Sequence, residues 1–219
     1  MGALHAGHAA LIRQARTLAD ARGCTVVATV FVNPTQFNEP TDFDAYPRTL
    51  DADLALCERS GAHAVLAPSP AVVYPPGDQT AVPTLPAVAT QPGLEDAFRP
   101  GHFAGVCQVV ARLFDMTCPA VAVFGEKDWQ QLQVIRAMTV AQRRPIEIVA
   151  GPTVREPDGL AMSSRNARLD PAARKRAAGI AARVGTVRLI DNAPWPTSGP
   201  TSGLNRGPTP GPTPEHTPT

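Results

Sequence analysis

Residues 25–32, from Thr25 to Val32, form an unbroken apolar run rich in β-branched side chains, with helical patterns on either side. An alternating strand has one wet face. A continuous apolar run has none, so this segment reads as a strand buried on both sides. Before it, over residues 7–21, Leu11, Ile12, Ala15, Leu18 and Ala19 share one face of a helix. After it, residues 50–60 are helix-like and residues 64–67 make a short buried strand. The alternation continues with Val106, Val109, Val110, Leu113 and Phe114 at helical spacing, then an apolar strand over 120–124. Trp129, Leu132, Ile135 and Met138 form the inner stripe of a further helix, and 146–149 reads as one more strand. Strands alternating with helices specify an α/β fold, a doubly wound parallel sheet that binds ligands at the carboxyl ends of its strands. Residues 68–100, irregular and rich in proline, are expected to run over the surface rather than enter the core.

Composition excludes several other classes. With 219 residues, 43% of them hydrophobic, the chain can bury one good-sized core and a small second unit. A net charge of +1 gives no footprint for nucleic acid and no polybasic membrane patch. No apolar run approaches the roughly 20 residues that span a bilayer, and residues 1–5 lack the order of a secretory signal. Cys24, Cys57, Cys107 and Cys118 are irregularly spaced, which fits free thiols in a reducing cytoplasm rather than a zinc or redox motif. Of the 24 prolines, eight fall within residues 194–218, in a stretch of Pro, Thr, Gly and Ser. That tail cannot bury enough surface to offset its ordering entropy and is expected to be disordered and without chemistry.

Four segments carry candidate chemistry, each ending a predicted strand, opening a predicted helix or lying just ahead of one. His5-Ala6-Gly7-His8 opens the first helix, where backbone N–H groups and the dipole favour phosphate and two imidazoles can add donors. Gly125-Glu126-Lys127-Asp128 follows a strand directly; Lys127 offers a mobile cation, and Asp128 can orient a neighbour or approach a metal ion. Met162-Ser163-Ser164-Arg165-Asn166 offers two hydroxyls and a guanidinium that can bridge two phosphate oxygens. Asn33-Pro34-Thr35-Gln36-Phe37 ends the first strand with two amides at the crevice mouth. Each alone also reads as ordinary structure: surface histidines, a polar turn capped by Asp128, a capping loop, an Asn-Pro turn. Their order along the chain is the stronger signal.

In that order the motifs resemble the HxGH nucleotidylyl transferase superfamily, with its Rossmann-like fold, and more finely the pantothenate synthetase (pantoate–β-alanine ligase) family. The finer likeness rests on residues 1–8, 31–37, Tyr46-Pro47-Arg48-Thr49, 99–103, 124–128 with Gln130-Gln131, and 158–166. The resemblance implies ATP-dependent condensation of pantoate with β-alanine through a pantoyl adenylate, releasing pyrophosphate and then AMP. It implies that His5, His8 and Lys127 stabilise charge on the α-phosphate, with Mg²⁺. It further implies that Met1, Gly2, Ala3, Leu4, His5, Ala6, Gly7 and His8 hold ATP, together with Gly125, Glu126, Lys127, Asp128, Val154, Met162, Ser163, Ser164 and Arg165. Gln36 and Gln131 would bind pantoate, Gln36 also β-alanine, and Asn33, Tyr46, Arg99 and His102 would form the site wall or a lid. A cytoplasmic homodimer follows from the same likeness.

Ala6, Thr35 and Trp129 depart from the family's usual residues. Family members also carry a helix and a strand ahead of the HxGH turn, so the first strand is expected to be missing here and two neighbours to have bare edges. Residues 1–176 are expected to form the ATP- and pantoate-binding domain, 177–192 a remnant of a C-terminal lid domain, and 193–219 the tail. Two other readings stay open: a non-catalytic fragment that binds nucleotide at most, and another adenylylating transferase of the superfamily.

Overall fold

The computed structural model describes residues 2–36, 43, 46, 48–77, 82–91, 93–169, 181–184 and 187–190. Helix α1 (Ala6–Arg22) closes on Gly23, whose φ of 63° is the left-handed geometry that glycine adopts without penalty. Strand β1 (Val27–Thr29) leads into a 3₁₀ turn over Pro34–Gln36, and helix α2 (Leu50–Arg59) into strand β2 (Ala64–Leu66). Short helices α3 (Pro70–Val73) and α4 (Glu95–Phe98) precede the long α5 (His102–Thr117). Strand β3 (Val121–Gly125), a 3₁₀ turn over Glu126–Asp128, helix α6 (Trp129–Ala141) and strand β4 (Glu147–Gly151) follow. A 3₁₀ turn spans Ser164–Arg168, and β5 (Ala181–Val184) pairs antiparallel with β6 (Val187–Ile190). The remainder of the expected C-terminal unit and the proline-rich tail lie outside the described residues.

The ladders are parallel, as the strand–helix alternation requires. β1 pairs with β2 in the register Val27↔Ala64 to Thr29↔Leu66, and β3 with β4 from Val121↔Glu147 to Gly125↔Gly151. The core sits under β3 and β4, where Val106, Val109, Val110 and Phe114 of α5 meet Val134, Ile135 and Met138 of α6. Phe114 meets Phe124 edge-on at 6.4 Å, an arrangement favoured by the ring quadrupoles. Gly105 lets α5 approach the Pro34–Gln36 turn: a Cβ there would lie 2.7 Å from the Thr35 carbonyl oxygen.

Four expectations need correction. The strand over 25–32 shortens to three residues and is not buried on both sides, since Val27 is 45% exposed. Its short partner β2 is likewise not fully buried. The reason is a cleft of about 590 Å³ lined by Val26, Val27 and Thr29 together with Val121, Ala122 and Val123. β1 and β3 each have a ladder neighbour on one side only among the described residues, and the cleft runs along both. Trp129 is 47% exposed because it starts α6 beyond the end of the sheet; Leu132, Ile135 and Met138 do form the inner stripe. Finally, the 68–100 segment enters the core after all. Val73 and Ala89 are buried there, with Tyr74, Leu85 and Val88 packed against them. Gln130 pins this segment: its Nε2 donates to the Val88 carbonyl (3.0 Å) and Asp96 (2.8 Å), and its Oε1 accepts the Glu95 N–H (2.8 Å).

All four cysteines are free, Cys57 and Cys107 buried and Cys24 and Cys118 exposed. No helix among the described residues is long and apolar enough to cross a membrane.

Candidate active site

The HxGH segment caps its own helix. His5 is the N-cap residue of α1; its Nδ1 accepts the Gly7 N–H at 3.2 Å, and His8 Nδ1 accepts the His5 N–H at 3.2 Å. Two of the helix-terminal N–H groups expected to face a ligand are therefore already occupied. The exchange has a chemical consequence. A neutral imidazole whose Nδ1 accepts must carry its proton on Nε2, so both rings are fixed as Nε2–H donors. Burial lowers the His8 pKa to about 3, with the neighbouring His5 and then Lys127 adding to the shift. His5 is lowered by burial and Lys127, against the opposing pull of Glu156 and Asp128. At neutral pH the two rings, 4.1 Å apart between centroids, are uncharged donors.

Lys127 sits in the turn that ends β3, 3.5 Å from Asp128, in a partly exposed position. Its field reaches both imidazoles. The serine loop rises from a tight hairpin: the Met162 N–H donates to the Val154 carbonyl (2.9 Å), and Arg155 and Ala161 form a bridge. Gly159, at φ 86°, makes the turn. Ser163 accepts the Arg165 N–H at 3.2 Å. Asn166 ties the loop down by donating to Glu156 (2.6 Å) and the Ala161 carbonyl (3.0 Å). A Cβ on Gly7 would lie 3.7 Å from Met162, so the serine loop runs against the start of α1. Tyr46 closes the circle: its hydroxyl donates to the Gly2 carbonyl (3.3 Å) and lies 3.2 Å from Ser164 Oγ, with Arg165 over its ring at 5.8 Å. The histidine turn thus lies against the serine loop and within the field of Lys127.

Nearby, Gln131, His8, Asn33 and Thr29 are the polar residues lining a cavity of about 250 Å³ whose other walls, Leu4 among them, are apolar. Asn33 is 2% exposed and works as a brace. Its Oδ1 accepts from the Thr35 N–H (3.3 Å), Thr35 Oγ1 (3.1 Å) and Tyr74 (2.9 Å), and its Nδ2 donates to the Gly105 carbonyl (3.2 Å). Arg99 lies 3.2 Å from His102 and 4.0 Å from Glu95, and it lines a separate shallow groove with Thr90, Gln91 and Asp96. The Met1 position and the Gln36 side chain lie outside what is described.

Sequence reasoning missed Asp53. It is 2% exposed, its Oδ2 accepts the Ala3 N–H (3.0 Å), and its Oδ1 accepts the Leu4 N–H (2.7 Å) and the Thr49 hydroxyl (3.2 Å). An acid in the first turn of a helix ordinarily faces water. The signal available was its spacing from Cys57 and Ser60, which with Asp53 form the buried face of α2 while Leu50 and Leu54 stay exposed.

A family model described as pantoate-β-alanine ligase matches residues 1–182. The chain belongs to the pantoate-β-alanine ligase family. It is 54% identical over 191 residues to the pantothenate synthetase of Anaeromyxobacter dehalogenans, covering 86% of this chain and 65% of that one. With the pantothenate synthetase of Thioalkalivibrio sulfidiphilus it shares 53% identity over 178 residues, 81% of this chain and 60% of the relative. The chain therefore spans less than two thirds of the length of these relatives. The crystal structure of pantothenate synthetase from Thermus thermophilus superposes with a TM-score of 0.74 at 48% identity, over 81% of this chain and 62% of that one. The Francisella tularensis pantoate-β-alanine ligase, complexed with β,γ-ATP and β-alanine, gives 0.77 at 31% identity, over 87% and 85%. The Rossmann-like fold expected of this ligase family is shared by these structures and carried by the parallel ladders here.

Proposed function

We propose that the chain activates pantoate with ATP and joins it to β-alanine, giving pantothenate, AMP and pyrophosphate. What supports this reading is that two Nε2–H imidazoles lie within the field of the Lys127 ammonium and that the serine loop runs against the start of their helix. The pantoate carboxylate attacks the α-phosphorus, forming the pantoyl–phosphate bond as the bond to pyrophosphate breaks. Negative charge grows on the α-phosphate oxygens, and donors already in place stabilise it without reorganising. His5, His8 and Lys127 take that role. Residues 1–8, Gly125 to Asp128, Val154, and Met162 to Arg165 hold the nucleotide. In the second step the β-alanine amine attacks the activated carbonyl and AMP leaves. Gln131 and Gln36 recognise pantoate, and Gln36 has a second role in binding β-alanine. Support for Gln131 comes from its place beside His8 in a mixed polar and apolar cavity.

Mg²⁺ would enter with the triphosphate. Among the described residues no group of three or more His, Cys, Asp or Glu could hold a metal alone. Asp128, a single carboxylate next to Lys127, suits an ion that keeps its waters and phosphate oxygens as ligands. Bound there, Mg²⁺ would neutralise phosphate charge. A cytoplasmic homodimer belongs to the same proposal, on family likeness.

The test is ATP–pyrophosphate exchange with and without pantoate. Exchange that requires pantoate supports the ligase; exchange indifferent to it points to another adenylylating transferase. One observation favours a second reading, nucleotide binding without ligation. The cavity holding Gln131 shares Val26, Val27, Val123 and Phe124 with the longer cleft, so its apolar wall is open. ATP binding with no exchange under any condition would select it.

A further inference from the structure

We infer that Asp53 is a positioning residue that sets the donor state of His8 by gripping the backbone ahead of the histidine turn; the inference rests on the ligase reading for its kinetic consequence only. Ala3 has a φ of 51°, a left-handed conformation that costs an alanine and persists only where surroundings impose it. Asp53 supplies the imposition. Its two carboxylate oxygens take the N–H groups of Ala3 and Leu4 in succession, and Thr49 donates its hydroxyl to the same group. With three donors the buried charge is well satisfied, and its anchor is a helix rather than a loop.

The next residue after that grip is His5. Its N–H reaches His8 Nδ1, the bond that assigns the His8 proton to Nε2. The path from α2 to the donors is therefore short: the Asp53 carboxylate, two peptide groups, the His5 N–H and the His8 ring. Loss of the grip lets Ala3 relax to a negative φ, turns the following peptide, and removes the donor from His8 Nδ1. His8 is then free to carry its proton on either nitrogen, and half of the donor pair is lost from the site.

The experiment uses the full chain with ¹⁵N-labelled histidine and its Asp53→Asn variant, which keeps the shape but places an amide against one of the two N–H groups. Long-range ¹H–¹⁵N spectra at neutral pH report the tautomer of each ring, a signature that a merely destabilised but folded protein retains. The wild type should show His5 and His8 as Nε2–H, and Asp53→Asn should show His8 as a mixture. In pantoate-dependent exchange the variant should lose at least tenfold in kcat with the pantoate KM within twofold. Unchanged tautomers and turnover in Asp53→Asn overturn the inference. If that variant does not fold, Thr49→Val decides: partial loss of the single tautomer supports the inference, and a wild-type spectrum overturns it. Should the wild-type chain show no exchange at all, the ligase reading falls, and the spectra alone decide Asp53 in the same two ways.

Discussion

The β3–β4 ladder runs for five residue pairs, while β1–β2 runs for three. Both are parallel and both are rich in valine and alanine. The difference lies in what covers them. β3 and β4 are backed by α5 and α6, whose Val134, Ile135 and Met138 are fully buried. β1 and β3 both line the cleft, but β3 stays half-buried along its length while Val27 of β1 is 45% exposed. Apolar, β-branched composition makes a segment suitable for a sheet interior; it does not supply the neighbour that makes the interior. The polar site bridges these unequal halves. Its lysine turn ends β3, while its histidine turn is held by Asp53 and Tyr46 on the β1–β2 side.

Substitutions sharpen that contrast, beginning with chemistry. Lys127→Ala should cut pantoate-dependent exchange by about 10²–10³-fold, the range for removing one preplaced charge-stabilising donor. Its melting midpoint should stay put, because the side chain is partly exposed. His8→Asn should separate capping from catalysis: the Asn oxygen can still accept the His5 N–H, but the Nε2–H donor is gone. Exchange lost with the melting midpoint kept is the expected pair of results; exchange kept would break the assignment.

In the well-covered half, Met138→Ala should cost about 2–5 kcal/mol in denaturant unfolding. Val27→Ala, in the half that borders the cleft, should cost under about 1 kcal/mol. Equal costs would mean that the cleft is closed in solution. The His8 pKa of about 3 gives a pH dependence with a definite sign. Between that value and 6.5 the unfolded chain binds a proton that the folded chain refuses, so this contribution to stability falls as pH is lowered through the window. His8→Asn should flatten the slope. Last and smallest, Glu147→Gln removes the exposed pair with Arg22 and should leave the melting midpoint unchanged.

Much of the fold could be read from periodicity. The bounds of α1 and the inner residues of α5 and α6 follow from 3.6-residue spacing, since a helix has one buried face whatever lies opposite. The parallel sense of the ladders follows from the strand–helix alternation. Other features had no local signature. Val73 and Ala89 reach the core from a proline-rich segment because Gln130 hydrogen-bonds to its backbone from a distant helix. On α2 the buried face is the one that carries Asp53 and Cys57, while Leu50 and Leu54 stay exposed.

The site divides in the same way. From the sequence alone came the residue types, their order, and the place of the lysine turn between a strand and a helix, because those depend on local backbone geometry and on what each side chain can donate. Tertiary structure decided the rest. It assigned the Asn33 amide to bracing a turn, gave Tyr46 the bridge between the histidine turn and the serine loop, and set Asp53 against two backbone N–H groups about fifty residues away in sequence. Such pairings arise from long-range packing of one element against another, where spacing along the chain carries no information about distance in space.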